Sequence, residues 1–243
     1  MTTSADHVFV EPVTSPEDFT HIFYIIGEAF GRQARDAVWT VLNPGWEDAK
    51  GQQKGAADLA KRFNSVQTNK DGKPNTVFLK ATLPDPAVES KRKVVGMAIW
   101  QQCSFVHGFG DPPSADLGDS LLGLDPKEAR FASQVFASLW KRRIETTKEK
   151  STAAPPAIFV LDMCCVDPAF QRRGIAQKLV QWGLDEAEKR GGLECTTEAS
   201  SMGRGAYVKL GFKDEGTGDV VYEVDDEFKS RDKPPNIFLR TES

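Results

Sequence analysis

Six residues, Gln171-Arg172-Arg173-Gly174-Ile175-Ala176, stand where one sequence pattern gives way to another. Upstream lies AIFVLDMCCV at 157–166, an apolar run broken only by Asp162, which reads as a buried central strand. Downstream, Ile175, Leu179, Val180, Leu184 and Ala187 recur at helical spacing to about Arg190, where Gly191-Gly192 ends the pattern. At a helix start the first N–H groups have no partner within the helix, and the dipole there is positive. A glycine in that turn lets backbone come close to a ligand. The chemistry these residues suit is the cradling of a pyrophosphate. The spacing is neither a Walker loop nor the three-glycine dinucleotide fingerprint.

Other residues around this turn could move protons. Asp162 is an acid inside an apolar strand, where burial raises a carboxyl's pKa and costs free energy unless the group is used or paired. Glu198 ends the next predicted strand, 193–199, and Tyr207 sits in a short helix near 203–210. Strand alternation puts Asp162 and Cys164 on one face and Cys165 on the other. Asp162 fits a structural acid as well as a base, and a water chain is an equal candidate for the base. Cys164 and Cys165 read as buried strand thiols, since no histidine or cation flanks them.

The elements that must position these groups follow from patterning. VFV at 8–10 reads as a first strand. Ser15-Pro16-Glu17-Asp18 opens a helix carrying Phe19, Ile22, Phe23, Ile26 and Phe30. Asn43-Pro44-Gly45 breaks the chain, and a second helix is expected over about Trp46 to Val66, its first half weakened by Gly51 and Gly55. Strands at 76–83 and 93–103 follow. Residues 104–124, rich in Gly, Pro, Asp and Ser, read as an excursion from the sheet. Asp125-Pro126 then starts a helix whose polar end, KRRIETTKEKS, suits the negative end of a helix dipole. A hairpin-like region at Phe212 onward, Asp219–Val224 and Ile237–Arg240 completes the chain. The order predicts a mixed α/β sandwich in one domain over residues 1–243, with 104–150 as an insertion between the third and fourth strands. That insertion is expected to wall an acceptor pocket, with Phe105, Phe109 or Trp140 supplying aromatic surface.

Composition bounds the function. The chain has 243 residues, 40% hydrophobic and 27% charged, which is the profile of a globular protein rather than a collagen, coiled coil or disordered tail. Its formal net charge of −4 argues against nucleic acid as a partner and suits a cationic or neutral substrate. Cys103, Cys164, Cys165 and Cys195, with His7, His21 and His107, lack the clustering of a zinc site, so no metal is expected. Neither a leader peptide nor an apolar run of membrane-spanning length is visible, so the expected setting is a reducing cytoplasm, away from membranes.

Gln171-Arg172-Arg173-Gly174-Ile175-Ala176 resembles the Q/R-x-x-G-x-G/A motif of the GNAT superfamily of N-acetyltransferases, and Tyr207-Val208-Lys209-Leu210-Gly211-Phe212 is similar to that family's Y-x-K-L-G-F segment. The two occur in order on the right elements, and the resemblance covers about 157–215. It implies a GNAT-like α/β fold: a mostly antiparallel central sheet with splayed fourth and fifth strands and helices on both faces. It implies acetyl-CoA as acyl donor. The pantetheine would lie along Cys164, Cys165 and Val166, with the Val166 N–H polarising the thioester carbonyl. The pyrophosphate would rest on Gln171, Arg172, Arg173, Gly174, Ile175, Ala176 and Gln177. Tyr207 matches the general acid, with Asp162 and Glu198 as candidate bases. Val160 stands where the histone-modifying branch has a glutamate, Ser200 where an asparagine is common, and Val221-Tyr222 offers one tyrosine where N-terminal acetyltransferases often have a pair. The expected reaction is direct acetyl transfer to a primary amine in a ternary complex. Small amines, amino acids, polyamines, antibiotics and peptide lysines are all open as acceptors, as is the oligomeric state. The alternatives are a non-catalytic acyl-CoA-binding or sensing protein on the same fold, and an interaction scaffold using the insertion.

Overall fold

The structure, a computed structural model, describes residues 8–85 and 91–241. Seven strands form one sheet in the order β1-β2-β3-β4-β5-β7-β6. They are β1 (Phe9–Pro12), β2 (Thr76–Pro84), β3 (Arg92–Cys103), β4 (Ile158–Val166), β5 (Glu194–Ser200), β6 (Lys213–Asp219) and β7 (Asn236–Arg240). Every neighbouring pair is antiparallel except β4 and β5, which are parallel and joined by the crossover helix α6 (Ile175–Lys189).

Helices cover both faces, so the central strands carry apolar residues on both sides. On one face Leu179, Val180 and Ala187 of α6 pack on Trp100, Phe159 and Leu161. On the other, α1 (Asp18–Ile26) and α3 (Ala49–Asn64) lay Phe19, Ile22, Phe23 and Ala56 against Phe78, Met97 and Ile99. The glycines that weaken α3 as a sequence pattern are required by its packing. A Cβ on Gly55 would stand 2.1 Å from the Phe23 ring, and one on Gly51 2.0 Å from the Gly45 carbonyl oxygen.

Three elements differ from expectation. The first helix does not stay α-helical as far as Phe30. It continues as a π-helical segment, Gly27–Gln33, and is followed by a separate short helix α2 (Ala37–Leu42) capped by Asp36. The helix after Asp125 breaks at Trp140 (φ −90°, ψ 0°) into α4 (Pro126–Leu139) and α5 (Lys141–Glu149). The basic stretch after Trp140 therefore begins a helix, and Arg143 is buried. Residues 220–224, expected as part of a strand, are irregular, with Val221 exposed. The insertion joins the fold through a third apolar cluster, in which Phe131, Ala132 and Val135 of α4 meet Val38 of α2 and Phe228. No described helix is long and apolar enough to cross a membrane.

Candidate active site

β4 and β5 pair over only three positions, Ile158↔Glu194, Phe159↔Cys195 and Val160↔Thr196, and then part. Just beyond, the β3–β4 register jumps from Trp100↔Leu161 to Ile99↔Met163. Asp162 is thus an extra, unpaired residue, a bulge that bends the strand and increases its twist. The bulge also shifts the alternation. Leu161 and Cys164 both pack on the α6 side, while Asp162 meets arginines of α3 and α5 on the opposite side. Asp162 and Cys164 therefore face opposite ways, contrary to simple alternation.

Backbone groups are released into the gap. Asp167 N–H donates to the Val95 carbonyl at 2.9 Å, so Gly96 and Val166 form a non-hydrogen-bonded pair. The Val166 N–H and carbonyl consequently point away from β3, toward the position that β5 has vacated. The carbonyl accepts from Gln171 Nε2 at 3.1 Å. Gln171 also exchanges two amide hydrogen bonds with Gln33, at 2.8 and 3.1 Å, tying the π-helical segment to the loop before α6.

That loop turns on two left-handed residues, Arg172 (φ 64°) and Gly174 (φ 74°). Gly174 is the N-cap of α6, and no side chain caps the helix. Its N-terminal N–H groups are thereby available to an anion. Gly96 on β3 lets α6 start this close to the sheet, since a Cβ there would sit 3.1 Å from Ile175 Cγ2 and from the Cys165 carbonyl oxygen.

A cavity of about 920 Å³ opens from the gap. Of the residues singled out by sequence, 164–166, Gln171, Arg172, 174–177 and Tyr207 line it. Arg173 does not, and its guanidinium lies 5.3 Å from the centre of the Phe170 ring. Tyr207, on α7 (Arg204–Val208), is buried beside Phe212 and faces the Cys164 thiol at hydrogen-bonding range. Burial, then Cys164, pushes the Tyr207 phenol well above its ordinary value. Burial likewise pushes the Cys164 thiol up to about 12, against the hydrogen bond from Tyr207.

Asp162 and Glu198 lie beside the gap but off the cavity wall. Arg143 joins them, donating from Nη1 to Asp162 Oδ1 at 2.8 Å and from Nε to Glu198 Oε1 at 3.1 Å. Arg62 of α3 takes Asp162 Oδ2 at 2.8 Å. The expected upward shift of Asp162 is reversed. Burial acts to raise it, but Arg62 and Arg143 outweigh burial and hold the carboxyl well below the usual range. The expected aromatic wall from the insertion is absent among the described lining residues. Phe105 is exposed near Lys148, Phe109 carries Lys70 over its ring, and Trp140 stacks on Arg143. The α1–α2 segment lines that side instead, with Ala29, Phe30, Gln33 and Asp36. Asp36 and Arg143 were not singled out from sequence. The signal for Asp36 was its place two residues before Val38-Trp39, an N-cap pattern.

The model of the acetyltransferase (GNAT) domain family matches residues 130–223, which hold β4, the loop, α6, β5 and α7. Over that stretch the chain is similar to the GNAT acetyltransferases. A curated relative, the probable acyltransferase SID5 of Ajellomyces capsulatus, is 26% identical over 125 residues, covering 51% of this chain and 78% of its own. Among solved structures, a Corynebacterium glutamicum protein described as histone acetyltransferase HPA2 and related acetyltransferase superposes with a TM-score of 0.54 at 18% identity, over 97% of this chain and 96% of its own. Arylalkylamine N-acetyltransferase 2 from Aedes aegypti gives 0.53 at 16%, covering 96% and 97%. Polyamine N-acetyltransferase of Drosophila melanogaster gives 0.53 at 11%, again covering 96% and 97%. At these identities the likeness to the structures is one of fold, and the fold is that of GNAT acetyltransferases.

Proposed function

We propose that the protein transfers the acetyl group of acetyl-CoA to a primary amine by direct attack in a ternary complex. The observation that carries this reading is the gap between β4 and β5, which opens on one cavity holding both the α6 turn and Tyr207. In this reading the N–H groups of the 172–177 loop hold the pyrophosphate, with Arg172 adding charge and Gln171 fixing the Val166 carbonyl. The pantetheine lies along Cys164, Cys165 and Val166, and the Val166 N–H polarises the thioester carbonyl.

The amine attacks that carbonyl, the C–N bond forms and the C–S bond breaks, the CoA sulfur takes the proton of Tyr207, and the proton shed by the nitrogen passes through water back to the phenolate. Burial supports this last step. A phenol held well above its ordinary value keeps its proton at neutral pH. A thiolate leaving into the same dry space is also a strong base, as the rise of Cys164 to about 12 indicates. Asp162 is a poor base here, because its proton affinity is lowered and both of its oxygens are engaged. Glu198 is likewise engaged, by Arg143. The acceptors named for the two insect neighbours, an arylalkylamine and a polyamine, favour a small amine over a peptide.

Free-thiol release from acetyl-CoA over a panel of amines tests the reading. Tyr207→Phe keeps the ring and should lower kcat by about 10²–10⁴ while leaving acetyl-CoA affinity intact. Binding of acetyl-CoA with no amine-dependent thiol release would favour the non-catalytic alternative, and an unchanged kcat would make Tyr207 structural.

A further inference from the structure

We propose that Asp36 is the carboxylate that receives the acceptor's ammonium group, so that the preferred acceptor is a primary amine on an apolar body without a carboxylate of its own. The inference rests on the N-acetyltransferase reading and adds to it a residue and a charge class.

Asp162 and Glu198, the acids on the opened parts of β4 and β5, are both taken. Asp162 has one oxygen on Arg143 and the other on Arg62, and Glu198 has Arg143 across both of its oxygens. Their side chains are 7% and 5% exposed, and neither lines the cavity. Asp36 differs in its place and its partners. It lines the cavity. Its Oδ1 accepts from the Val38 and Trp39 N–H groups at 3.0 and 2.9 Å, which fixes the side chain as the cap of α2. Its Oδ2 has no hydrogen-bond partner and no ion pair among the described residues. Arg35, next to Asp36 in the chain, makes no ion pair with it among the described residues, and Arg32 is spent on Glu28 and Glu47. A carboxylate with one oxygen pinned and the other free, on the wall of a cavity, is a site for a charge-assisted hydrogen bond from a cation.

The surroundings define the rest of the ligand. Ala29 and Phe30 flank Asp36 on the wall, and α4 closes the back of α2 with Phe131, Ala132 and Val135, which are apolar. From the C-terminal segment, Tyr222 is the titratable neighbour. Its phenol is raised by burial and then by Asp36, Glu198 and Asp219, so the field of Asp36 reaches the β5 side of the gap. An acceptor bearing its own carboxylate would bring like charge into that acidic field. The basic residues on the wall, Arg172 and Lys209, lie on the loop before α6 and at the end of α7, the cofactor end of the cavity.

The test uses Asp36→Asn with phenethylamine, butylamine and phenylalanine as acceptors, read by thiol release from acetyl-CoA. Asparagine caps a helix as well as aspartate does, so folding should persist. Should the Asn variant not fold, Asp36→Ser, another capping residue without charge, replaces it. Wild type should use phenethylamine at least tenfold better than phenylalanine in kcat/KM. The variant should raise the phenethylamine KM by about 10- to 100-fold, keep the acetyl-CoA KM within twofold, and narrow the discrimination against phenylalanine. An amine KM within twofold of wild type, or a wild-type preference for phenylalanine, overturns the role of Asp36 and leaves the acetyltransferase reading standing. Absence of amine-dependent thiol release with every acceptor overturns both.

Discussion

Arg143 carries a full charge with its side chain 1% exposed, a placement that costs several kcal/mol per ion unless it is answered. Asp162 and Glu198 answer it, and their attraction outweighs burial, holding the guanidinium above its ordinary value. Removing the cation alone should therefore be far worse than removing a surface arginine. Arg143→Met leaves Glu198 buried without its partner and Asp162 with Arg62 alone. The expected loss is about 3–5 kcal/mol, measurable as a fall in the urea midpoint, and a loss under 1 kcal/mol would contradict it. The cavity thiol and the α6 loop lie away from this cluster, so acetyl-CoA should still raise the melting temperature of whatever fraction folds. Nothing in the sequence separates Arg143 from its neighbours Arg142 and Lys141. Its burial depends on the break at Trp140, which turns the next helix toward β4 and β5.

At the scale of elements, the start of α6 should be the most sensitive point for the cofactor. Gly174 has φ 74°, which a side chain tolerates poorly, and glutamate there would also set a negative charge where the pyrophosphate is proposed to sit. Acetyl-CoA at a hundredfold excess over Kd should stabilise wild type by about 2.7 kcal/mol and Gly174→Glu not at all. Equal thermal shifts in the two proteins would remove the loop from the cofactor site. This element was plain in the sequence, as were the strands around it: 76–83, 93–103, 157–166 and 193–199 were expected, and β2 to β5 span Thr76–Pro84, Arg92–Cys103, Ile158–Val166 and Glu194–Ser200. Buried strands and a long amphipathic helix repeat their pattern often enough to be read. The π-helical segment and α2 were not read, because seven and six residues give too few turns for a period. With α2 went its cap, Asp36. The bulge escaped for a related reason. A strand buried on both faces shows no alternation in which one extra residue could appear as an error.

Across the whole molecule, the insertion and the C-terminal strands are held by ions as well as by the apolar cluster. Arg142 of α5 grips Glu215 of β6, Arg240 of β7 reaches both Glu215 and Glu194, and Arg231 forks onto Glu128 of α4. The Arg142 hydrogen bond chiefly lowers Glu215 to about 2, and Glu194 is lowered too, burial being offset by Arg240 and Lys150. A depressed carboxyl stabilises the fold above its unfolded pKa and stops doing so as pH falls through the folded one. Stability should hold down to about pH 4.5 and fall between there and about pH 2. At the other end, burial raises Cys103, Cys164 and Cys195 from 9.0 to about 12. Their contribution is complete below pH 9 and lost as pH climbs toward 12. Melting temperatures measured from pH 2 to 11 should show a plateau with both shoulders. Arg142→Gln should lower the plateau and shrink the fall between about pH 4.5 and about pH 2, and an undiminished fall would mean that Arg142 contributes nothing to the acid limit.

The bulge at Asp162 makes the cleft depend on a number as well as on chemistry. Between Leu161 and Met163, β4 holds one residue more than β3, and everything after it has reversed parity. Substitutions at 162 leave that count alone, so their effects are graded by how well the new side chain meets Arg143 and Arg62. Loss of one codon there is different in kind. It would straighten β4 while leaving Met163, Cys164 and Val166 opposite Ile99, Ala98 and Gly96, on the sides they now occupy, and it would remove the acid that answers Arg143 and Arg62. In this stretch of the gene, a single in-frame deletion therefore removes the bend of β4 together with its ion pairs, whereas single substitutions at 162 change the ion pairs alone.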